Sequence, residues 1–252
     1  MLKPHSPQQN RLLSALEGDD YARLAAKLEL VPLPLGLSLY EAGNRLGYIY
    51  FPTTSVVSLA CAMADGKSSA VATTGNDGLV GVAPFMGDDR APMRAAVQSA
   101  GYAYRLRVSI AQAECARGSS LRTWALRYAQ SLMIQMGQTA VCNRLHGMEQ
   151  QVCRWLLLTL DGLASNKIIV TQELIATTLG SRREGVSESA AKLREAGIIH
   201  CGRGYVTVLD REKLEAQACV CYQAIKAEID RLLPYRVRGV PGDAGDSSPA
   251  AR

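Results

Sequence analysis

The chain has 252 residues, of which 48% are hydrophobic and 20% charged, and a formal net charge of +5. That balance belongs to a folded globular protein of one large domain or two ordinary ones, not to a disordered chain. No apolar run approaches the ~18 residues a membrane-spanning helix needs, the densest being residues 155–160 (WLLLTL), so no membrane partner is expected.

The opening stretch, MLKPHSPQQN, is polar with no apolar core, so no export signal and a cytoplasmic location are expected. Residues 11–30 repeat leucines at helical spacing: Leu12, Leu13 and Leu16, then Leu24, Leu28 and Leu30, divided at Gly18-Asp19-Asp20. Pro32 and Pro34 make residues 31–36 an extended lead into a sheet. From about 37 to 110, short β-prone runs lie at 48–51, 56–61, 70–73, 79–82, 95–98 and 103–108. Turn residues separate them, including Asp65-Gly66, a hairpin signal, and the pattern predicts an antiparallel roll or barrel.

Residues 119–147 read as one long helix. Leu126, Ala129, Met133, Met136 and Ala140, with Asn143 in register, have the spacing of a coiled-coil seam. Two readings stay open: a dimer seam, or packing on the chain's own roll. A second helix covers 148–162, and residues 163–167 (LASNK) suit a boundary. Residues 211–233 are helical in pattern, and the Gly, Pro, Ser and Arg content from Pro234 onward predicts a disordered tail over 234–252.

The functional constellation lies in residues 170–196. Thr171 is a suitable N-cap, and Gly180 suits the end of the helix it starts. A second helix is predicted over 182–196, opened by Ser181, with Val186, Ala190 and Leu193 inward. Two short helices about a glycine turn make a helix-turn-helix, whose second helix sends its early residues to the major groove. Those residues are Ser181, Arg182, Arg183, Glu184 and Ser187; arginine suits guanine, glutamate cytosine, and serine a base or phosphate. Thr171, Lys192 and Arg203 suit phosphate. Arg203 stands between Gly202 and Gly204, where strands at 198–200 and 205–209 predict a hairpin wing. Residues 168–233 carry nine basic and nine acidic side chains, so any electrostatic footprint must be local.

The residues Thr171-Gln172-Glu173-Leu174, Leu179-Gly180-Ser181-Arg182-Arg183-Glu184-Gly185-Val186, Leu193 and Ala196-Gly197-Ile198-Ile199 resemble the helix-turn-helix of the Crp/Fnr family of bacterial transcription regulators. Arg183 and Glu184 fall on that family's Arg-Glu pair, and Glu188 stands where it often has a further arginine. Residues 203–211 (RGYVTVLDR) are similar to the wing ending of one subgroup. The resemblance implies an α+β fold in three parts: an N-terminal antiparallel β-roll like the cyclic-nucleotide-binding jelly roll, a long dimerisation helix and a C-terminal winged helix-turn-helix. The corresponding divisions are 1–118, 119–166 and 167–233, with the tail beyond.

In that family the roll often holds a cyclic nucleotide through a Gly-Glu pair for the ribose and an arginine plus a small hydroxyl residue for the phosphate. Here Gly81 is followed by Val82, and Arg94 by Ala95, so a cyclic nucleotide is not expected. The seven cysteines are scattered, with no CxxC spacing and none in the first 60 residues, so buried reduced thiols and no iron–sulfur sensor are expected. Cys219 and Cys221, two apart on an expected helix, would face different ways, so no metal or other cofactor is expected. No catalytic motif is present and no enzyme is expected. The sequence therefore points to a transcription regulator binding double-stranded DNA at a near-palindrome. It would act as a homodimer through helix 119–147, with RNA polymerase as a further partner and an unknown effector. The competing reading is a sensing or adaptor dimer whose helix-turn-helix does not read DNA.

Overall fold

The computed structural model describes residues 5–63 and 68–233. The Asp65-Gly66 turn and the tail from 234 to 252 fall outside them. Turn residues cut the first half into seven short strands: β1 (Glu29–Leu33), β2 (Ser38–Tyr40), β3 (Tyr48–Pro52), β4 (Val56–Ala62), β5 (Ser68–Thr74), β6 (Arg94–Ser99) and β7 (Gly101–Arg107). They form two antiparallel sheets, ordered β1-β7-β3 and β2-β6-β4-β5. Alternate side chains turn into one core: Ile49 and Phe51 of β3, opposite Leu106 and Tyr104 of β7, are buried with Val57, Ala95 and Val97 of the other sheet. Pro32 lies in edge strand β1, where a missing N–H is tolerated.

Two short helices, α1 (Arg11–Ser14) and α2 (Gly18–Ala25), close one end of the roll by burying Leu12, Leu13 and Leu24. The buried Asn10 pins them, accepting from Leu13 N and donating to the carbonyls of Pro52 (2.9 Å) and Gly78 (2.7 Å). The helical pattern read to Leu30 stops sooner, because β1 takes Glu29 and Leu30 into pairing with β7. The strand expected at 79–82 is reduced to one bridge between Val80 and Tyr50. Gly81, at φ 98°, turns the chain into a short helix, α3 (Ala83–Met86). A further helix, α4 (Val108–Ala116), follows β7 without a break residue, which is why its period was not separable from the strand.

The long helix α5 (Ser120–Leu145) is followed by α6 (Met148–Asp161). Ser119 caps α5, and the Asp20 carboxylate accepts from the Ser120 N–H (2.8 Å) and hydroxyl (2.7 Å). One face of α5 seals the roll with Leu121, Ala125, Tyr128 and Leu132. A second core gathers under α6, α7 (Gln172–Leu179), α8 (Arg183–Glu195) and a small sheet of β8 (Lys167–Ile168), β10 (Tyr205–Val208) and β9 (Ile199–Gly202), in that order.

The helix expected over 211–233 is two helices, α9 (Arg211–Gln217) and α10 (Val220–Leu232). Between them Cys219 is extended, at φ −74° and ψ 161°, and is the N-cap of α10. Cys219 and Cys221 are therefore not on one helical turn, and the argument that they must diverge fails. From there α10 runs back along α5, and Leu232 and Leu233 enter the core of the roll. All seven cysteines are free thiols; contrary to expectation Cys61 is exposed, and Cys115 and Cys201 are only half-buried.

Candidate nucleic-acid interface

The α7 helix begins because Thr171 Oγ1 accepts from Leu174 N at 3.2 Å. It ends because Gly180 takes up left-handed geometry, φ 63° and ψ 31°, which lets the Ser181 N–H return to the Ala176 carbonyl at 2.9 Å. This turn sets the angle between α7 and α8. Ile175, Ala176, Leu179, Val186, Ala190 and Leu193 bury the contact between them. The Ser187 hydroxyl donates to Gln172 Oε1 (2.9 Å) and ties the two helices on their open side.

The second helix starts one residue later than expected, with Arg182 rather than Ser181 as its cap residue and no side-chain cap bond. Its first-turn N–H groups are thus left for an outside acceptor, next to the exposed Arg182, Arg183 and Glu184. Arg183 Nε lies 3.8 Å from Glu173 Oε2 with both side chains about two-thirds exposed, a contact of little energetic weight that an anion can displace. Ser181 is placed differently: its hydroxyl is buried and has no partner among the described residues. Lys192 turns back between Glu188 (3.3 Å) and Glu149 of α6 (3.6 Å), and the Glu188 carboxylate is the main reason its ammonium is held more tightly protonated.

The wing forms as expected, with β9 and β10 pairing through Tyr205↔Gly202 and Gly204 at φ 80°. Arg203 is exposed at its tip, and Lys167 lies over the Tyr205 ring at 4.0 Å. The rest of the RGYVTVLDR stretch is structural. Asp210 caps α9 by accepting from Lys213 N (3.0 Å), and Arg211 Nη2 donates to Asp161 (2.6 Å) and to the hydroxyl of buried Tyr222 (2.7 Å). Those bonds fasten the end of the wing to α6 and α10.

The stripe on α5 divides between the two readings left open. Leu126, Met133, Ala140 and Asn143 are exposed, joined by Gly137 and Val141. Ala129 is buried and Met136 half-buried against the roll. A straight helix advances 3.6 rather than 3.5 residues per turn, so a heptad stripe drifts around it and meets both neighbours.

Between α5 and the roll lies a cavity of about 160 Å³ lined by residues including Tyr40, Leu79, Gly81, Val82, Leu132 and Met136. No charged side chain lines it among the described residues. Its hydroxyl, on Tyr40, has its pKa raised by burial. Arg94 lies outside that lining, with Nε 3.3 Å from Glu41 Oε1. The chemistry suits an apolar occupant and offers no counter-charge to a phosphate.

Residues 150–217 match the family model described as a Crp-like helix-turn-helix domain. The solved structure of FixK2 from Bradyrhizobium japonicum is similar over 76% of this chain and 98% of its own, with a TM-score of 0.65 and 14% identity. The c-di-GMP-responsive global regulator CLP of Xanthomonas campestris is similar over 76% of this chain and 99% of its own, at TM-score 0.58 and 14% identity. A CRP-family transcriptional regulator from Thermus thermophilus is similar over 75% of this chain and 96% of its own, at TM-score 0.58 and 20% identity. No curated protein matches the sequence.

Proposed function

We propose that this chain, which carries a Crp-like helix-turn-helix domain on the Crp/Fnr-like fold, regulates transcription as a homodimer bound to a near-palindromic DNA operator. The observation that carries the reading is the uncapped start of α8, where Arg182, Arg183 and Glu184 stand exposed. Arg183 and Glu184 read base edges in the major groove, with Arg182 and Ser187 beside them. Thr171, Arg203 and the free N–H groups of α8 hold phosphate, and Lys192 joins them once it leaves its carboxylates. Ser181 acts through its place in the turn. The two-fold axis runs along the exposed stripe of α5, so each protomer presents one α8 to one half-site. On this reading residues 1–118 are the sensor, 119–166 the dimerisation helix and connector, and 167–233 the DNA-binding unit. No helix among the described residues is long and apolar enough to cross a membrane.

Selection of bound DNA from a random pool with the full chain tests this directly. A two-fold symmetric motif is expected, and Arg183→Ala should cost about 1–3 kcal/mol and relax one position in each half. Recovery of no motif overturns DNA reading. Uniform weakening on every sequence would make Arg183 a phosphate contact only.

A further inference from the structure

We propose that Cys142, His146, Cys219 and Cys221 form a tetrahedral site for one divalent metal ion of the zinc class, clamping the end of α5 to the start of α10. One ligand atom from each of the four residues lies within 4.8 Å of the others. Cys142 Sγ is 3.5 Å from Cys219 Sγ, and Cys221 Sγ is 3.6 Å from His146 Nδ1. Zinc binds thiolate at about 2.3 Å and imidazole at about 2.0–2.1 Å, so the edges of its tetrahedron are roughly 3.4–3.8 Å. Two opposite edges are already at that length. An iron–sulfur cluster interposes several atoms between its ligands and needs them spread more widely. Three sulfurs and one imidazole are the donor set that selects zinc over calcium or magnesium. With four protein ligands the shell is closed, as in structural rather than catalytic sites.

The local backbone fits the task. Cys142 stands in the last turn of α5, and His146, four residues on, is the extended residue that caps that turn. The His146 N–H donates to the Cys142 carbonyl (3.0 Å), and its own carbonyl accepts from Gln151 Nε2 (2.9 Å), which fixes where the ring leaves the chain. Cys219, extended before α10, and Cys221, in its first turn, converge from the other side.

A second observation is independent of the ligands. Arg154 on α6 is only 3% exposed, and among the described residues its hydrogen-bond partner is a hydroxyl rather than a carboxylate. Its Nη1 donates to Thr139 Oγ1 at 3.0 Å while its Nε has no partner among the described residues. Burial raises the Cys142 and Cys221 thiols, and the charge of Arg154, close by, opposes that rise without overcoming it. A buried guanidinium needs a counter-charge. Zinc with three thiolates and a neutral imidazole carries a net charge of −1 and supplies it. The clamp sits one residue before Gly147, where the chain turns from α5 into α6. It therefore fixes the seam helix against the segment that leads back from the DNA-binding unit, and it stands whether or not that unit reads DNA.

Titration of chelator-treated, fully reduced whole chain with Co²⁺ tests the site. The expected result is saturation at one ion per chain, with the strong visible bands of tetrahedral cobalt and thiolate-to-metal charge transfer, both displaced by Zn²⁺. Cys142→Ser and Cys221→Ser should each weaken the charge-transfer band, and the exposed Cys61→Ser should leave it intact. Absence of a saturable tetrahedral spectrum in the unaltered chain overturns the proposal, whatever the variants do. So does an unchanged spectrum in both cysteine variants.

Discussion

Gly180→Ala tests whether the turn between α7 and α8 is held by backbone geometry. Gly180 sits at φ 63° and ψ 31°, and a Cβ there would stand 3.0 Å from Ser69 Oγ and 3.1 Å from Ser69 Cβ on β5. Left-handed geometry costs a residue with a Cβ about 1–2 kcal/mol. Rotation of the Ser69 hydroxyl relieves its own contact, while the Cβ contact needs the turn or β5 to give by a few tenths of an ångström. For a chain of this length ~1 kcal/mol lowers the melting midpoint by about 2–4 °C, so the expected loss is about 2–8 °C. Differential scanning calorimetry measures it, and an operator-binding titration beside it reads the effect on the angle of α8. The Ser69→Gly background separates the two causes: removing the neighbour should recover only a small part of the loss. In that background Asn should be tolerated better than Ala, since asparagine adopts the left-handed region more readily. A melting point for Gly180→Ala within a degree of the parent would refute the reasoning. Complete rescue by Ser69→Gly would replace it with crowding against β5.

Three other perturbations reach other parts of the molecule. Met133→Glu, on the exposed stripe of α5 where Met133 is 65% exposed, should convert dimer to monomer in sedimentation velocity while leaving helix content unchanged; a dimer of undiminished affinity would remove α5 as the seam. Asp20 has its carboxyl held below the ordinary value, first by the Ser120 N–H and then by the Ser120 hydroxyl. The stability it contributes is present above about pH 4 and is lost as pH falls through its lower folded value, so Asp20→Asn should flatten the acid limb of the melting-point profile, and an unchanged limb would discard that linkage. Cyclic AMP at saturating levels should leave the melting point where it was, because a ligand at a hundred times its Kd would add about 2.7 kcal/mol; a clear upward shift would show that the apolar cavity admits a nucleotide.

The parts of this chain legible in sequence are those whose signals are local. Thr171, Gly180 and Gly204 each dictate a cap or a turn by their own chemistry, and the expected helix-turn-helix and wing stand around them. Most strands of the roll were visible for the same reason, since turn residues separate their runs. What escaped needed long-range information. Ser181 and Arg182 differ by one position in capping α8, and tertiary packing chose between them by burying the serine hydroxyl. Leu79 to Val82 has strand-like composition, yet Gly81 turns the chain after a single bridge and α3 follows at Ala83. The cysteines show the limit most clearly. Periodicity made residues 211–233 one helix, and on one helix Cys219 and Cys221 must diverge. The break that frees them lies at Ala218-Cys219, where neither residue is a helix breaker, and on either side of it Arg211 and Tyr222 both fasten to Asp161 of α6. The remaining signal was Cys142 and His146 four apart near the end of a long helix, a ligand spacing whose other two members begin 77 residues beyond Cys142. A metal site assembled from one helix end and one helix start is therefore visible only after the fold has brought the two together.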